Sequence, residues 1–77
     1  MPENSFSVNK ESMFTTIEVT FPLPEGFLEV YGGCFMSLNS LDGKTLILSL
    51  IEYSESDSEI VSMVITSLVE AGFTQIQ

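Results

Sequence analysis

Four carboxylates, Glu52, Glu55, Asp57 and Glu59, crowd one short stretch of this sequence and form its densest group of side chains with chemistry to offer. Pairs such as Glu55 with Asp57 or Glu59 have the groups for general acid–base work, or for holding Ca²⁺ or Mg²⁺ through oxygen. The stretch lacks the spaced acidic ligands and central glycine of a calcium loop, and helix capping plus solvation accounts for the same residues. The single thiol, Cys34, follows two glycines but has no histidine or basic neighbour in sequence to make it a thiolate, so it reads as a small buried hydrophobe. Eleven serines lack a general base, because the chain has no histidine and only Lys10 and Lys44 as cations. No catalytic, cofactor-binding or metal-ligating residue is assigned on these grounds, and the expectation is a protein that is not an enzyme.

Charge carries the remaining chemistry. Eleven acids against two lysines give a net charge of −9, which repels phosphate backbones and anionic headgroups. Direct nucleic-acid and membrane binding are therefore not expected, and the complementary partner is a protein with a basic surface. Glu52, Glu55, Asp57, Glu59 and Asp42, extended by Glu18, Glu29 and Glu70, are the candidate partner-binding acids. Carboxylates on a rigid scaffold can occupy a site built for phosphates, since complementary potential steers encounter and sets specificity.

The elements that must position these groups follow from periodicity. Residues 1–12 are polar and aperiodic apart from Phe6 and Val8, and read as a flexible N-terminal arm; residues 13–77 read as one α+β domain. Met13, Ile17, Val19 and Phe21 share one parity, as in a strand with one buried face over 13–21. Pro22, Pro24 and Gly26 then force a turn. A second strand is expected over 27–38, either distorted at Gly32–Gly33 or folded there into a tight hairpin. Asp42–Gly43 signals a two-residue hairpin loop to a third strand over 44–53, in a register that sets Leu38 opposite Ile47, Met36 opposite Ser49, Phe35 opposite Leu50 and Ser37 opposite Leu48.

Ser54 and Ser56 each precede an acid by three, the capping-box spacing, and open a helix over 56–71 that Gly72 stops. A short terminal strand from Phe73 to Ile76 is possible. The expected architecture is thus a small antiparallel sheet of three strands, or four with that terminal strand, and one C-terminal amphipathic helix on one face.

Apolar surface exceeds what that architecture hides. The third strand has only Ser49 as a polar residue, so it is central or covered twice, while one helix covers one face. On the helix, apolar positions span an arc of roughly 240°, against about 100° to 140° needed to cover a sheet. Phe35, Leu48, Leu50, Ile65 and Val69 are the candidate dimer or partner interface. A domain of 77 residues buries only a little over ~60% of its unfolded surface, so a homodimer or bound partner would relieve both the excess and the thin stability.

Leu48-Ser49-Leu50-Ile51 followed by Glu52, Ser54, Glu55 and Asp57 resembles a SUMO-interacting motif over about ten residues, which implies strand addition to a partner sheet. A small acidic chain without catalytic side chains is also similar in kind to phage-encoded anti-defence proteins, including anti-CRISPR proteins, an analogy of class that rests on no motif. The functional expectation is a non-enzymatic inhibitor or adaptor, a nucleic-acid mimic that occupies a basic site on a partner. The alternative is a structural or assembly module acting as a homodimer. No apolar run is long enough to cross a bilayer and the N-terminal stretch has no apolar core of a signal peptide, so a cytoplasmic setting is expected.

Overall fold

Period-two patterning and two well-marked helix ends settle most of the architecture. The computed structural model describes residues 4–40 and 42–77. Along the chain these form β1 (Ser5–Glu11), β2 (Phe14–Thr20), α1 (Phe27–Tyr31), a 3-10 turn (Gly32–Cys34), β3 (Ser37–Ser40), β4 (Thr45–Ile51), α2 (Glu55–Glu70) and β5 (Thr74–Gln75). The strands make one sheet in the order β3-β4-β2-β1-β5, with every pair antiparallel except β1–β5. The α+β class and the C-terminal helix match expectation. The sheet is larger than expected and mixed, and a second, short helix joins it.

Three segments differ from the sequence-based reading. Residues 5–11 of the expected arm form β1, which pairs with β2 through Phe6–Val19, Val8–Ile17 and Lys10–Thr15. Residues 1–3 of that arm lie outside the described residues. Phe6 is only 1% exposed, so β1 contributes to the core.

The expected strand over 27–38 is helical in its first half. Phe27 and Tyr31, four apart, meet on one side of α1 as a tilted pair with ring centroids 5.3 Å apart, and Tyr31 Oη lies 3.0 Å from Ser67 Oγ of α2. That packing outweighs the strand preference of Phe, Val and Tyr in a segment too short to hold a conformation by itself. Gly32 and Gly33 therefore serve the 3-10 turn and make neither bulge nor hairpin.

The third difference is a register shift of one residue. β3 pairs with β4 as Ser37–Ser49, Leu38–Leu48, Asn39–Ile47 and Ser40–Leu46. The connection contains one residue more than a two-residue hairpin, because Thr45 is held by Thr20 and Lys44 O accepts from Phe21 N–H. Asp42 Oδ1 accepts from Lys44 N–H at 2.9 Å and Ser40 Oγ from Gly43 N–H at 3.2 Å, with Gly43 at φ 77°. A shift of one residue exchanges the two faces of a strand, which is why the expected cross-strand pairs of β3 do not form.

α2 begins and ends as its sequence dictates. Asp57 Oδ2 accepts from the N–H groups of Tyr53 and Ser54, the acidic half of a capping box. At the other end Gly72 adopts φ 97°, Phe73 N–H reaches Leu68 O and Gly72 N–H reaches Val69 O, the pair of bonds of a Schellman stop. The stop turns Phe73 into the core and delivers β5 beside β1, where Ile76 N–H bonds Phe6 O.

Both helices cover the same face of the sheet. Ile17, Val19, Leu46, Leu48 and Leu50 on that face pack with Phe27 of α1 and with Val61, Val64 and Leu68 of α2. The opposite face, carrying Phe14, Thr16, Glu18, Ile47, Ser49 and Ile51, has no second layer among the described residues. Among those residues no helix is long and apolar enough to cross a membrane.

Candidate functional site

The acidic stretch that dominated the sequence divides in three dimensions. Glu52 follows β4 with the parity of Leu46, Leu48 and Leu50, so its side chain enters the covered side of the sheet and is buried. Its Oε1 accepts from Thr15 Oγ1 at 2.7 Å; its Oε2 accepts from Ser58 Oγ at 3.0 Å and pairs with Lys10 Nζ at 2.9 Å. Thr15, opposite Lys10 in the β1–β2 register, hydrogen-bonds Glu52 across to β4, and Ser58 belongs to the first turns of α2. One carboxylate therefore joins three strands to a helix. Chiefly the Thr15 hydrogen bond and then that of Lys10 hold it below the ordinary glutamate pKa, against the opposing pull of burial.

This overturns the assignment of Glu52 to a partner-binding surface, because its lone pairs already have donors within the fold. Asp57 is half-buried and engaged as the cap of α2. Glu55 and Glu59 on α2 and Asp42 in the β3–β4 turn are exposed. Among the described residues the other exposed acids are Glu11 and Glu18 on the uncovered sheet face, Glu25 and Glu29 at α1, and Glu70 in the last turn of α2. Among the described residues the one salt bridge is Lys10–Glu52, so the exposed carboxylates carry no ion pair and neither lysine lies on a helix. Glu25 was not singled out from sequence; its position directly before Gly26, which ends the proline turn and starts α1, was the available signal.

The apolar interface candidates also divide. Leu48, Leu50 and Phe35 are core residues of the single chain, with Leu48 fully buried, so they are not available to a second subunit. The parity of β4 and the helix layer explain the correction: Leu46, Leu48 and Leu50 are the covered set, and Ile47 and Ile51 occupy the other face. Ile65 is half-buried against the core, and Val69, 52% exposed, is the member of the set left in solvent. The resemblance to a SUMO-interacting motif falls with Leu48 and Leu50, since β4 is paired on both sides, to β2 and β3.

Cys34 is exposed, contrary to expectation, because the 3-10 turn carries it to the surface. It lines a groove near 350 Å³ with Phe35, Met36, Ile51 and Tyr53, in which Asp57 is the charged residue. A cation to stabilise the thiolate is not among these lining residues. No three His, Cys, Asp or Glu side chains converge among the described residues.

A second groove runs between the helices. Tyr31, Ser62, Met63, Thr66, Ser67 and Glu70 line a depression near 280 Å³, and Tyr31 and Ser67 also line a neighbouring one near 260 Å³ with Glu25, Phe27 and Val30. The Tyr31–Ser67 contact stands between the two depressions as a shared wall. Compared with known protein families, curated proteins and solved structures, the chain matches none.

Proposed function

We propose that this chain is a non-enzymatic binding protein, an inhibitor or adaptor, whose acidic surface docks on a basic protein site of the kind that ordinarily receives nucleic acid. The observation that carries the reading is the lack of pairing at the surface: among the described residues the one salt bridge, Lys10–Glu52, neutralises a buried carboxylate, and the exposed acids are left without an ion pair. A fold seeking only solubility gains from mixed signs at its surface, whereas a one-signed field is the arrangement that steers a complementary partner. The helices themselves contain no lysine, and Glu25, Glu29, Glu55, Glu59 and Glu70 lie on α1, α2 and the turn before α1, with Lys10, which reaches that side from β1, already paired to Glu52. Such a role is similar in kind to that of phage anti-defence proteins, including anti-CRISPR proteins.

Capture on immobilised full-length chain, at low and at high salt, tests this directly. The expected partner is recovered at low salt, released as added ions screen the surface charges, and displaced by duplex DNA or RNA competing for the same basic site. A partner whose retention ignores both salt and nucleic acid would end the proposal.

The uncovered sheet face supports a second reading, a homodimer. Phe14 stands directly opposite Ile51 there, with Ile47 four residues along β4, a small apolar strip available to a second copy. Glu11 and Glu18 share that face, so two copies would meet like charges as well as like apolar groups. Sedimentation at micromolar concentration decides it: a dimer dissociated by Phe14→Glu is the expected result for the module, and a monomer removes it.

A further inference from the structure

We propose that the groove between α1 and α2 receives arginine side chains of the basic partner, one in each of the two depressions that meet at Tyr31 and Ser67. The inference deepens the acidic-surface reading and rests on it.

Size comes first. At 280 and 260 Å³, each depression falls below the ~300–1,000 Å³ of pockets that enclose a small molecule. A single long side chain is the better match for each. The walls come next: Met63 and Val30 are more than half exposed, and the Tyr31 ring stands between the depressions, half-buried. Apolar and aromatic walls around an open cleft suit the methylene stem of a cation, and a tyrosine face attracts a guanidinium held against it.

Charge then selects the occupant. Each depression has one carboxylate, Glu70 in the first and Glu25 in the second, and neither has a lysine. Ser62, Thr66 and Ser67 add hydroxyl oxygens that accept hydrogen bonds. The pairing of aromatic wall, carboxylate and hydroxyls fits the flat, multiply donating guanidinium better than the compact ammonium of lysine. A second copy of this chain is a poor occupant, because the chain contains no arginine and, with Lys10 paired to Glu52, offers the single side-chain cation Lys44 for two depressions. Nucleic acid is repelled by the same carboxylates.

The test uses the full chain, ¹⁵N-labelled, titrated at low salt with a capped hexaarginine peptide and, in parallel, with capped hexalysine. Saturable shifts are expected at the amides of Tyr31, Met63, Ser67 and Glu70, with hexaarginine the tighter ligand. Glu25→Gln with Glu70→Gln should weaken hexaarginine about fivefold, and Glu11→Gln with Glu18→Gln, which removes the same charge from the sheet face, less than about twofold. All four positions are exposed, so these variants are expected to fold. Equal weakening by the two pairs, hexalysine binding as tightly, or shifts confined to the sheet face would overturn the groove and leave the acidic-surface reading standing. Failure of both peptides to bind at low salt would overturn both.

Discussion

Phe6→Ala is expected to destabilise the protein by about 3–5 kcal/mol, the cost of removing a fully buried phenyl ring from a core that collapses only in part. Phe6 is 1% exposed, faces Val19 across the β1–β2 pair and packs in the cluster built by Ile17, Leu48, Val64 and Leu68. A domain of this length has on the order of 4–12 kcal/mol of total stability at ~0.05–0.15 kcal/mol per residue. The single substitution therefore removes about a quarter of it at least. In urea the midpoint should fall by more than about 2 M with little change in slope. Phe14→Ala is the matched comparison: the same atoms leave a ring 40% exposed on the uncovered face, and the cost should be less than half as large. A flexible arm at residues 5–11 would make Phe6→Ala silent, so an unchanged midpoint removes β1 from the core.

That result bears on why β1 was illegible in the sequence. Phe6 and Val8 alternate with polar residues, but two apolar positions followed by Asn9, Lys10 and Glu11 give too short a period to distinguish a strand from an arm. The turn that joins β1 to β2 hides as well, because Ser12 itself takes φ 59° where a glycine would have announced the hairpin. β2, β4 and α2 were legible for the opposite reason. β2 and α2 repeat their periods over seven or more residues, β4 is a nearly continuous apolar run ahead of the helix start, and α2 adds Ser54, Asp57 and Gly72 at its ends. In α1 the spacing of Phe27, Tyr31 and Phe35 by fours held the helical signal, yet Gly32–Gly33 and the strand preference of Val30 and Tyr31 pointed the other way. Its helix depends on Ser67, thirty-six residues away, which no local window contains.

The candidate surface was legible as charge and illegible as pairing. Composition alone gives the excess of acids, and the sequence places Glu59 and Glu70 on the polar stripe of α2, where they are exposed. Which acid is withdrawn from the surface depends on register. Lys10, Thr15 and Glu52 meet only because β1 pairs with β2 and β2 with β4 at one alignment, and a shift of one residue in either ladder would point them to opposite faces. The same reasoning separates Leu48 and Leu50, inside, from Ile47 and Ile51 on the uncovered face. The apolar excess seen in the sequence thus belongs, Val69 apart, to residues other than the expected interface set.

Glu52→Ala is expected to cost about 3 kcal/mol at neutral pH, because it strips a hydroxyl donor, a serine and a lysine of one shared acceptor. Most of that loss is assigned to Thr15, which is fully buried and would be left with an unsatisfied hydroxyl; Lys10 is half exposed and regains water. Glu52→Gln keeps the volume and removes the charge, and should cost about 1–2 kcal/mol. Its pH dependence has a definite sign. The folded carboxyl titrates below its ordinary value, so its contribution is complete above the unfolded glutamate pKa of about 4.3 and is lost as pH falls through that value towards the lower folded one. The other carboxylates are common to the parent chain and the Gln variant, and their protonation cancels in the difference between the two. Stability measured by urea from pH 7 to pH 3 should therefore show a constant gap down to about pH 5, narrowing below it. A gap that persists undiminished to pH 3 would mean that charge on Glu52 does not hold β1, β2, β4 and α2 together.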